Sequence, residues 1–358
     1  MRIVPQILAL IAAANLASPS VAWAQGNAPF VPPPDGDTTP ASALDNFPSR
    51  IITNGLITAK VYLPGPFGFY RGTRFDHAGM IAHITYKGHD YGRYWFVKTS
   101  PDVKNFTYDS DGLVANNNNV AAGPVEEFGE NGFDAAGPGG RFLKIGVGIL
   151  KRDNDTYDRY HTYPILNRGI RTTRATKNSI TFTQEIANDP SGYGYRFSKT
   201  VTLVPGKPTM LIEDRLQNTG KKPIDTTVYN HHFMTLSPGE DGVELEAPFT
   251  LAHARPMPAD VVKFDGKRMT YLRGLTGEEQ VAGDLTGFGE TASDNDFRVT
   301  ATKTGYGVRL RANRPVTRLL WWSVPSTMGI EPYMDIKIKP GDTMHWTHTL
   351  DYFGPDQR

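Results

Sequence analysis

Two imidazoles and one carboxylate stand out as groups that could move protons near neutral pH. His231 and His232 are consecutive, and Glu331 is followed directly by Pro332. Because a proline pushes the residue before it into an extended conformation, Glu331 is expected on an extended segment between two strands. Aromatic and apolar neighbours desolvate such a carboxylate, which raises its pKa and favours basic character near pH 7. These residue types indicate acid–base chemistry.

The two histidines are predicted to face in opposite directions. The segment 226–233 is rich in β-branched and aromatic residues and follows a tight Asn-Thr-Gly turn at 218–220, so we expect a strand that returns from this turn. Side chains alternate between the two faces of a strand. Asn230 and His232 then share one face and His231 lies on the other, so only one imidazole is expected in a given pocket.

A pair of arginines offers a second set of polar groups. Arg71 and Arg74 are separated by Gly72 and Thr73. Guanidinium groups hold carboxylates and hydroxyl-rich ligands through several parallel donors. The pair is therefore a candidate for ligand binding, with a purely structural role as the alternative.

The elements that must position these residues are short strands. Apolar and polar residues alternate over brief segments that Gly, Pro, Asn and Asp separate, and no long segment combines a helical period with caps. This pattern favours an all-β fold, a large antiparallel β-sandwich. We expect one domain over 49–358. The clearest predicted strands are 180–186, 195–203, 307–312, 318–322 and 343–353.

Composition excludes several functional classes. The chain has 358 residues, with 38 Lys and Arg against 37 Asp and Glu. Its net charge is therefore too small to favour binding to nucleic acid or to an anionic membrane. It has no cysteine, which excludes disulfides and a thiol nucleophile. No spacing of His and carboxylates matches a metal motif, so no metal site is predicted, and nothing indicates an oligomeric state.

The first 48 residues are predicted to lie outside the folded domain. Residues 1–24 combine an early Arg2, a short apolar stretch and a small-residue cleavage site, which is typical of a secretory signal peptide. Residues 25–48 are proline-rich and read as a linker or arm. Secretion to the periplasm is therefore expected, with no membrane segment after cleavage, and a cysteine-free chain suits an oxidising compartment.

Several motifs, in this order, resemble the aldose 1-epimerase or galactose mutarotase superfamily. An Asn-Thr-Gly turn at 218–220 precedes Asn-His-His-Phe at 230–233, and Glu331-Pro332 is followed by a Pro-Gly-Asp turn at 340–342 and a last strand. Residues 79–91 resemble the first hairpin of that family. The resemblance implies a galactose mutarotase-like supersandwich and a sugar or glycan as substrate.

The resemblance also implies a mechanism. In the family, a Glu takes the proton of the anomeric hydroxyl and a His gives one to the ring oxygen, so that the ring opens and closes again as the other anomer. By position Glu331 matches the base and His231 the acid, and neither a metal nor an organic cofactor is needed. Arg71, Arg74, Asn230 and His232 are then candidates for binding the sugar.

One departure from the family pattern widens the possible chemistry. The His-Gly-Gly segment of the mutarotases is missing, and its region contains Glu126 and Glu127 instead. Glu126 is therefore a candidate ligand of the sugar, and His161 is a candidate replacement for the missing histidine. Two alternatives to an epimerase stay open: a lyase acting on uronate polysaccharides, and a carbohydrate-binding protein without catalysis.

Overall fold

The computed structural model describes the domain and not the segments that precede it. The described residues are 47–66, 68–92, 106–109, 112–115, 123–237, 242–277, 279–325 and 327–357. The predicted signal peptide, 1–24, and nearly all of the predicted arm, 25–48, lie outside them. Within these ranges, no helix is both long enough and apolar enough to cross a bilayer.

Strands make up most of the described chain. The first sixteen are β1 (Ser49–Thr53), β2 (Ile57–Tyr62), β3 (Ile81–Tyr86), β4 (His89–Asp90), β5 (Phe106–Asp109), β6 (Gly112–Ala115), β7 (Glu126–Phe128), β8 (Arg141–Lys144), β9 (Gly148–Lys151), β10 (Ile165–Asn167), β11 (Ile170–Ala175), β12 (Ser179–Ile186), β13 (Tyr195–Leu203), β14 (Thr209–Asn218), β15 (Ile224–Asn230) and β16 (His232–Met234). A single helical turn, α1 (Phe133–Ala136), lies between β7 and β8.

The C-terminal part of the chain continues the pattern. Its strands are β17 (Val243–Glu246), β18 (Ala252–His253), β19 (Val262–Asp265), β20 (Arg268–Tyr271), β21 (Val281–Thr286), β22 (Asp296–Ala301), β23 (Gly307–Ala312), β24 (Arg318–Val324), β25 (Thr327–Ile338) and β26 (Thr343–Phe353). Two short 3₁₀ turns, Ala292–Asp294 and Pro355–Gln357, complete it.

Two large antiparallel sheets form the body of the domain. One has ten strands in the order β11-β12-β13-β14-β26-β23-β22-β17-β20-β19. The other has the order β18-β21-β24-β25-β15-β7, with β16 also paired to β25. Smaller sheets are formed by β1–β4, by β8–β10 and by the β5–β6 hairpin. The predicted all-β sandwich is confirmed.

Buried apolar side chains from both large sheets fill the space between them. In one half of the core, Val201 of the ten-stranded sheet belongs to the same cluster as Trp321 of the other sheet. In the other half, Phe197 and Trp346 pack with Val228. Full burial of such a side chain stabilises the fold by about 1.5–3 kcal/mol. The sandwich is thus held by side chains that alternate inward along each strand.

The predicted strands match the observed ones except around Glu331 and at His231, where the predicted strand 226–233 is divided into β15 and β16. Glu331 and Pro332 lie inside the long strand β25, and not between two strands as expected. Proline removes one donor of the ladder. The partner strand on one side is interrupted opposite it, since β15 ends at Asn230 and β16 begins at His232. This break in pairing explains how the sheet accommodates an internal proline.

The turn at 218–220 also forms as predicted, but its two strands belong to different sheets. The side chain of Asn218 accepts from the backbone N–H of Gly220 (3.0 Å) and donates to the carbonyl oxygen of Ile338 (3.0 Å). β14 before the turn pairs with β26, whereas β15 after it pairs with β25. The turn therefore carries the chain from the ten-stranded sheet to the sheet that contains the two histidines.

The sheet that contains β25 has two chemically different faces. Ile330, Met334 and Ile336 point into the core. Because side chains alternate, Glu331 and Tyr333 lie on the opposite face. We refer to this second side of the sheet as the site face.

Candidate active site

The site face brings together polar and aromatic residues from four strands. β25 contributes Glu331 and Tyr333, and the neighbouring strands contribute Glu127, Tyr229 and Phe233. Cross-strand register aligns them, because Tyr229 lies opposite both Tyr333 and Glu127. The rings of Tyr229 and Tyr333 stack with centroids 4.3 Å apart. Residues far apart in the sequence thus form one surface.

The pair expected to move protons is in direct contact. Nε2 of His231 lies 3.2 Å from Oε1 of Glu331. Both residues are nearly enclosed, with 7% and 3% of their surface exposed. They touch each other and do not face one another across a cavity. Any ligand that reaches one of the two groups therefore lies close to the other as well.

The backbone holds His231 at the break between β15 and β16. Its N–H donates to the carbonyl oxygen of Val125 (2.7 Å), and its carbonyl oxygen accepts from the N–H of Phe233 (2.9 Å). Gly123 packs directly against it, since a Cβ at that position would lie 2.2 Å from the carbonyl oxygen of His231. A residue with a side chain at 123 would displace the histidine.

Burial determines the protonation state of the pair. Removal from water raises the pKa of Glu331 to about 8. The same loss of solvation, with the nearby positive charge of Arg74, lowers the pKa of His231 well below its usual value. These shifts favour a protonated Glu331 beside a neutral His231 at pH 7, and the 3.2 Å separation puts the carboxyl group within reach of Nε2 of His231.

A buried ionic cluster lies beside this pair, with Glu127 at its centre. Oε2 of Glu127 lies 2.8 Å from Nε of Arg74 and accepts from the hydroxyl of Tyr229 (2.6 Å). Oε1 lies 3.2 Å from Nε of Arg159 and 3.9 Å from Nζ of Lys144. We call these five residues the Glu127 cluster.

The Glu127 cluster has an excess of positive charge. Burial alone would raise the pKa of Glu127, but Arg74, Arg159 and Lys144 outweigh it and lower that pKa to about 2. Burial lowers the pKa of Lys144 to about 8, so it stays largely charged at pH 7. Three cations then surround one anion, next to a neutral Glu331. The net charge of about +2 is suited to an anionic ligand.

Two partly exposed arginines border the enclosed pair. The side chains of Arg159 and Arg318 are 27% and 47% exposed, and both charges act on Glu331. The guanidinium of Arg318 lies 5.1 Å from the ring centroid of Tyr333 and 2.6 Å from Asp284. Of the charged side chains that act on Glu331, Arg318 and Arg159 are therefore the two most exposed to solvent.

Aromatic rings cover the other side of His231. The ring of Phe233 lies 3.6 Å from that of His231, centroid to centroid, and stacks on Trp322 at 4.8 Å. Phe75 contacts the histidine at 5.3 Å. These rings are buried, and they exclude water from this side of the histidine.

Three candidate ligands of the sugar lie away from the site face. His232 lies on the core side, with its ring 5.8 Å from that of His348. Asn230 and Glu126 lie opposite each other in the ladder and share that side. Strand alternation explains this, because each residue is adjacent to one that belongs to the site face. The predicted opposite orientation of the two histidines is therefore observed.

Of the remaining candidate ligands of the sugar, Arg74 lies at the site, whereas Arg71 and His161 bond to other groups. Arg74 is in the Glu127 cluster, as described. Arg71 donates from Nη1 to the carbonyl oxygen of Pro66 (3.0 Å). Nε2 of His161 lies 2.9 Å from Asp153. The loop around His161 contributes Arg159 to the site instead of the imidazole.

Sequence reasoning missed Lys144, Arg159, Tyr229 and Tyr333 as site residues. Strand alternation is the signal that could have found Tyr229, because it places Tyr229 on the same face as His231. Nothing local marks Arg159 or Lys144, which reach the site from separate segments of the chain. Their position follows only from the way β8 and the segment between β9 and β10 pack on the site face.

Comparisons with known proteins agree with the architecture. No family model and no curated protein matches the sequence. Among solved structures, the chain is similar to a candidate aldose 1-epimerase from Escherichia coli K12, at 13% identity and a TM-score of 0.50, over 86% of this chain and 99% of that one. It is similar to a protein from Synechocystis sp. PCC 6803 with the same identity and TM-score, over 87% and 97%.

A galactose mutarotase-like protein from Lactobacillus casei is also found, with 13% identity, a TM-score of 0.47 and coverage of 85% and 100%. At such identities the similarity concerns the fold. The chain shares its β-sandwich fold with the candidate aldose 1-epimerase from Escherichia coli K12, and the resemblance predicted from the sequence is confirmed at the level of the fold.

Proposed function

We propose that this protein is a carbohydrate-active enzyme that interconverts the anomers of a sugar, with Glu331 and His231 as the proton-transfer pair. The observation that carries the proposal is the 3.2 Å contact between Nε2 of His231 and Oε1 of Glu331 on the site face. Its enclosure supports the same role, because proton transfer is more effective where water is excluded.

The chemistry needs one proton to be taken up and one to be delivered. The anomeric hydroxyl oxygen and the ring oxygen are bonded to the same carbon, so a base and an acid in contact with each other suit the reaction. When the shared proton crosses from Glu331 to His231, the carboxylate can accept the hydroxyl proton and the imidazolium can protonate the ring oxygen. Each well-placed group contributes roughly 10²–10⁴-fold.

The surrounding charges act on both partners of this proton shift. Arg74 and Arg159 lower the pKa of Glu331 and so stabilise its ionised form, but they also lower the pKa of His231 and oppose the imidazolium. The shift leaves the net charge of the pair unchanged and therefore needs no counter-ion. Ring closure on the other face of the sugar reverses the two transfers and restores the resting state.

Anomer exchange on a panel of freshly dissolved α-sugars tests the proposal. Polarimetry or NMR exchange spectroscopy should show a rate above the buffer-catalysed background. Glu331→Gln should lower the enzymatic rate by roughly 10²–10⁴-fold. Asp335→Asn is a matched control, since Asp335 is an exposed carboxylate on the same strand and face.

Three results would contradict the proposed interconversion of anomers. The first is no acceleration with any sugar. The second is equal loss in Glu331→Gln and Asp335→Asn. The third is sugar affinity without turnover that survives both Glu331→Gln and His231→Ala, which would indicate a binding protein.

The excess positive charge beside the pair favours a second candidate, a lyase acting on uronate polysaccharides. Such an enzyme neutralises the uronate carboxylate and removes the proton at C5. Arg159 is a partly exposed cation of the Glu127 cluster, and His231, whose pKa is lowered, is a neutral base at pH 7. Incubation with uronate polysaccharides should then release an unsaturated product that absorbs in the ultraviolet. Its absence would remove this candidate.

We further propose that the protein acts after export to the periplasm. The predicted signal peptide, 1–24, supports this. N-terminal sequencing of the protein from the periplasmic fraction of a Gram-negative host should begin at Gln25. A chain that keeps Met1 and stays in the cytoplasmic fraction would contradict the proposal.

A further inference from the structure

A second group of polar side chains lies between the two large sheets, on the far side from the Glu331–His231 pair. Glu126 enters it from β7, and Asp214 and His348 enter it from β14 and β26. The three residues are 0%, 2% and 4% exposed. One carboxylate oxygen of each acid and one ring nitrogen of the histidine all lie within 4.8 Å of one another.

These side chains have unmet bonding capacity. With the acids ionised, both carboxylate oxygens of Asp214 and Nε2 of His348 are buried without a hydrogen-bond partner among the residues that the structure describes. A proton on one of the acids lets Glu126 and Asp214 hydrogen-bond to each other. Burying such atoms unpaired is costly. Trp346, opposite Asp214 in the ladder, is part of an apolar core cluster. The gap between the two sheets therefore holds acceptors that need a positively charged partner.

Lys199 partly meets this need. Its Nζ lies 2.5 Å from Oδ2 of Asp76 and 2.5 Å from Oε2 of Glu126, and it donates to the carbonyl oxygen of Ala78 (2.9 Å). The ammonium is thus directed at Asp76, Glu126 and a backbone carbonyl. Asp214 receives no direct ion pair from it within 4.0 Å in the described structure.

With all three acids ionised, the charged side chains between the two sheets have a net charge of about −2. Asp76, Glu126 and Asp214 supply three negative charges when ionised, and Lys199 supplies one positive charge. A divalent cation balances the remainder. Two protons would balance it as well, and burial does raise the pKa of both Glu126 and Asp214. The two ways of balancing the charge predict different metal contents.

We propose that Glu126, Asp214 and His348 bind one divalent transition-metal ion, of the Zn²⁺ or Mn²⁺ type, between the two sheets. Two carboxylate oxygens and one imidazole nitrogen suit these ions, whereas Ca²⁺ and Mg²⁺ prefer oxygen ligands throughout. The ion connects β7 of one sheet to β14 and β26 of the other. Its role is to stabilise the sandwich, since the ligands lie on the core side of the sheet and Glu331 on the site face.

Metal analysis of the purified full-length chain tests the site. The protein is refolded with ZnCl₂ or MnCl₂ and passed over a chelating resin, and bound metal is then measured by mass spectrometry. Wild type should retain about one ion per chain. Asp214→Asn and His348→Phe should each lower the affinity by roughly tenfold or more. His345→Phe, an exposed histidine on the same strand, should retain the ion.

Further measurements on wild type keep the test decisive if a variant does not fold. X-ray absorption of the zinc-loaded protein should show a shell of nitrogen and oxygen ligands at about 2.0–2.2 Å. Metal should also raise the thermal midpoint, because an ion that binds only the folded state stabilises it. A chain refolded with either metal that holds no ion would overturn the proposal. So would an ion that His348→Phe retains as well as His345→Phe does.

Discussion

Glu126 and Glu127 are consecutive residues of β7 whose carboxylates lie on opposite faces of the same sheet. Glu127 is bound by Arg74 and Arg159 on the site face. Glu126 points into the space between the sheets, toward Lys199. Strand alternation makes this separation unavoidable. One short strand therefore contributes to two distinct polar groups, and substitutions at its two acids should have separable effects.

The proton shared by Glu331 and His231 predicts a one-sided pH dependence of anomer exchange. The pKa of Glu331 is raised to about 8, so the pair loses its proton above that pH. The rate should fall about tenfold per pH unit beyond about pH 8. Because the pKa of His231 is lowered by burial, a second proton does not bind near pH 6.5. The rate should therefore stay level from pH 8 down to below pH 6.5.

This profile is measured by NMR exchange, with the buffer-catalysed rate subtracted at each pH. A rate that rises through pH 8 and levels off above it would contradict a proton-bearing pair. Such a result would require an ionised Glu331 and an acid other than His231.

The same carboxyl group predicts how stability changes with pH. Its pKa is raised in the folded state from an ordinary 4.5 to about 8, so the folded state binds this proton more tightly than the unfolded state does. The resulting stabilisation is complete below about pH 4.5 and is lost as the pH rises through 8. Between these limits, wild type should lose up to about 5 kcal/mol relative to Glu331→Gln.

Denaturant unfolding of both proteins from pH 5 to pH 9 measures this difference. The variant removes one titrating group and leaves the others, so the difference between the two curves isolates Glu331. Parallel curves would show that Glu331 titrates normally in the folded protein.

Glu127→Gln should affect both stability and the pH profile. It leaves the buried Arg74 and Lys144 and the partly exposed Arg159 without their common anion, and loss of one partner of a buried ion pair costs about 3–5 kcal/mol. The negative charge of Glu127 also raises the pKa of Glu331, so its removal should move the alkaline limb of the rate to lower pH.

Urea titration and the pH–rate profile test these two effects separately. Glu185→Gln is the control, because Glu185 is an exposed acid on β12 and should change neither quantity. A Glu127→Gln variant with wild-type stability would show that the cluster is not held by this carboxylate.

The architecture was predictable because it depends on local alternation. β12, β13 and β26 follow from apolar residues at every second position, and burial of these positions in the sandwich is what the pattern encodes. The sequence predicts an extended conformation for Glu331, which is correct, but places it between two strands and not inside one. Pro332 is tolerated here because β15 and β16 are interrupted opposite it, which is a property of the neighbouring strand.

The candidate site was only partly predictable for a related reason. His231 and Glu331 were identified from residue type and order, and alternation separated His231 from His232. Arg159 and Lys144 could not be found, because no spacing connects them to β15 or β25. Their approach to Glu127 is set by long-range packing, and so is the convergence of Asp214 and His348 on Glu126.

Arg159 predicts a preference for anionic sugars. Its guanidinium belongs to a cluster with excess positive charge and is its more exposed cation, with 27% of the side chain exposed against 7% for Arg74. A uronic acid should therefore compete with a neutral sugar for the site.

Arg159→Met should weaken uronate binding by roughly 10- to 100-fold, the effect of losing a charge-assisted hydrogen bond, and should change neutral-sugar binding far less. Calorimetry with a uronic acid and the matching neutral hexose measures both affinities. Arg174→Met, at an exposed position on β11, is the matched control. Equal weakening for both ligands would show that Arg159 supports the site as a whole and does not select charge.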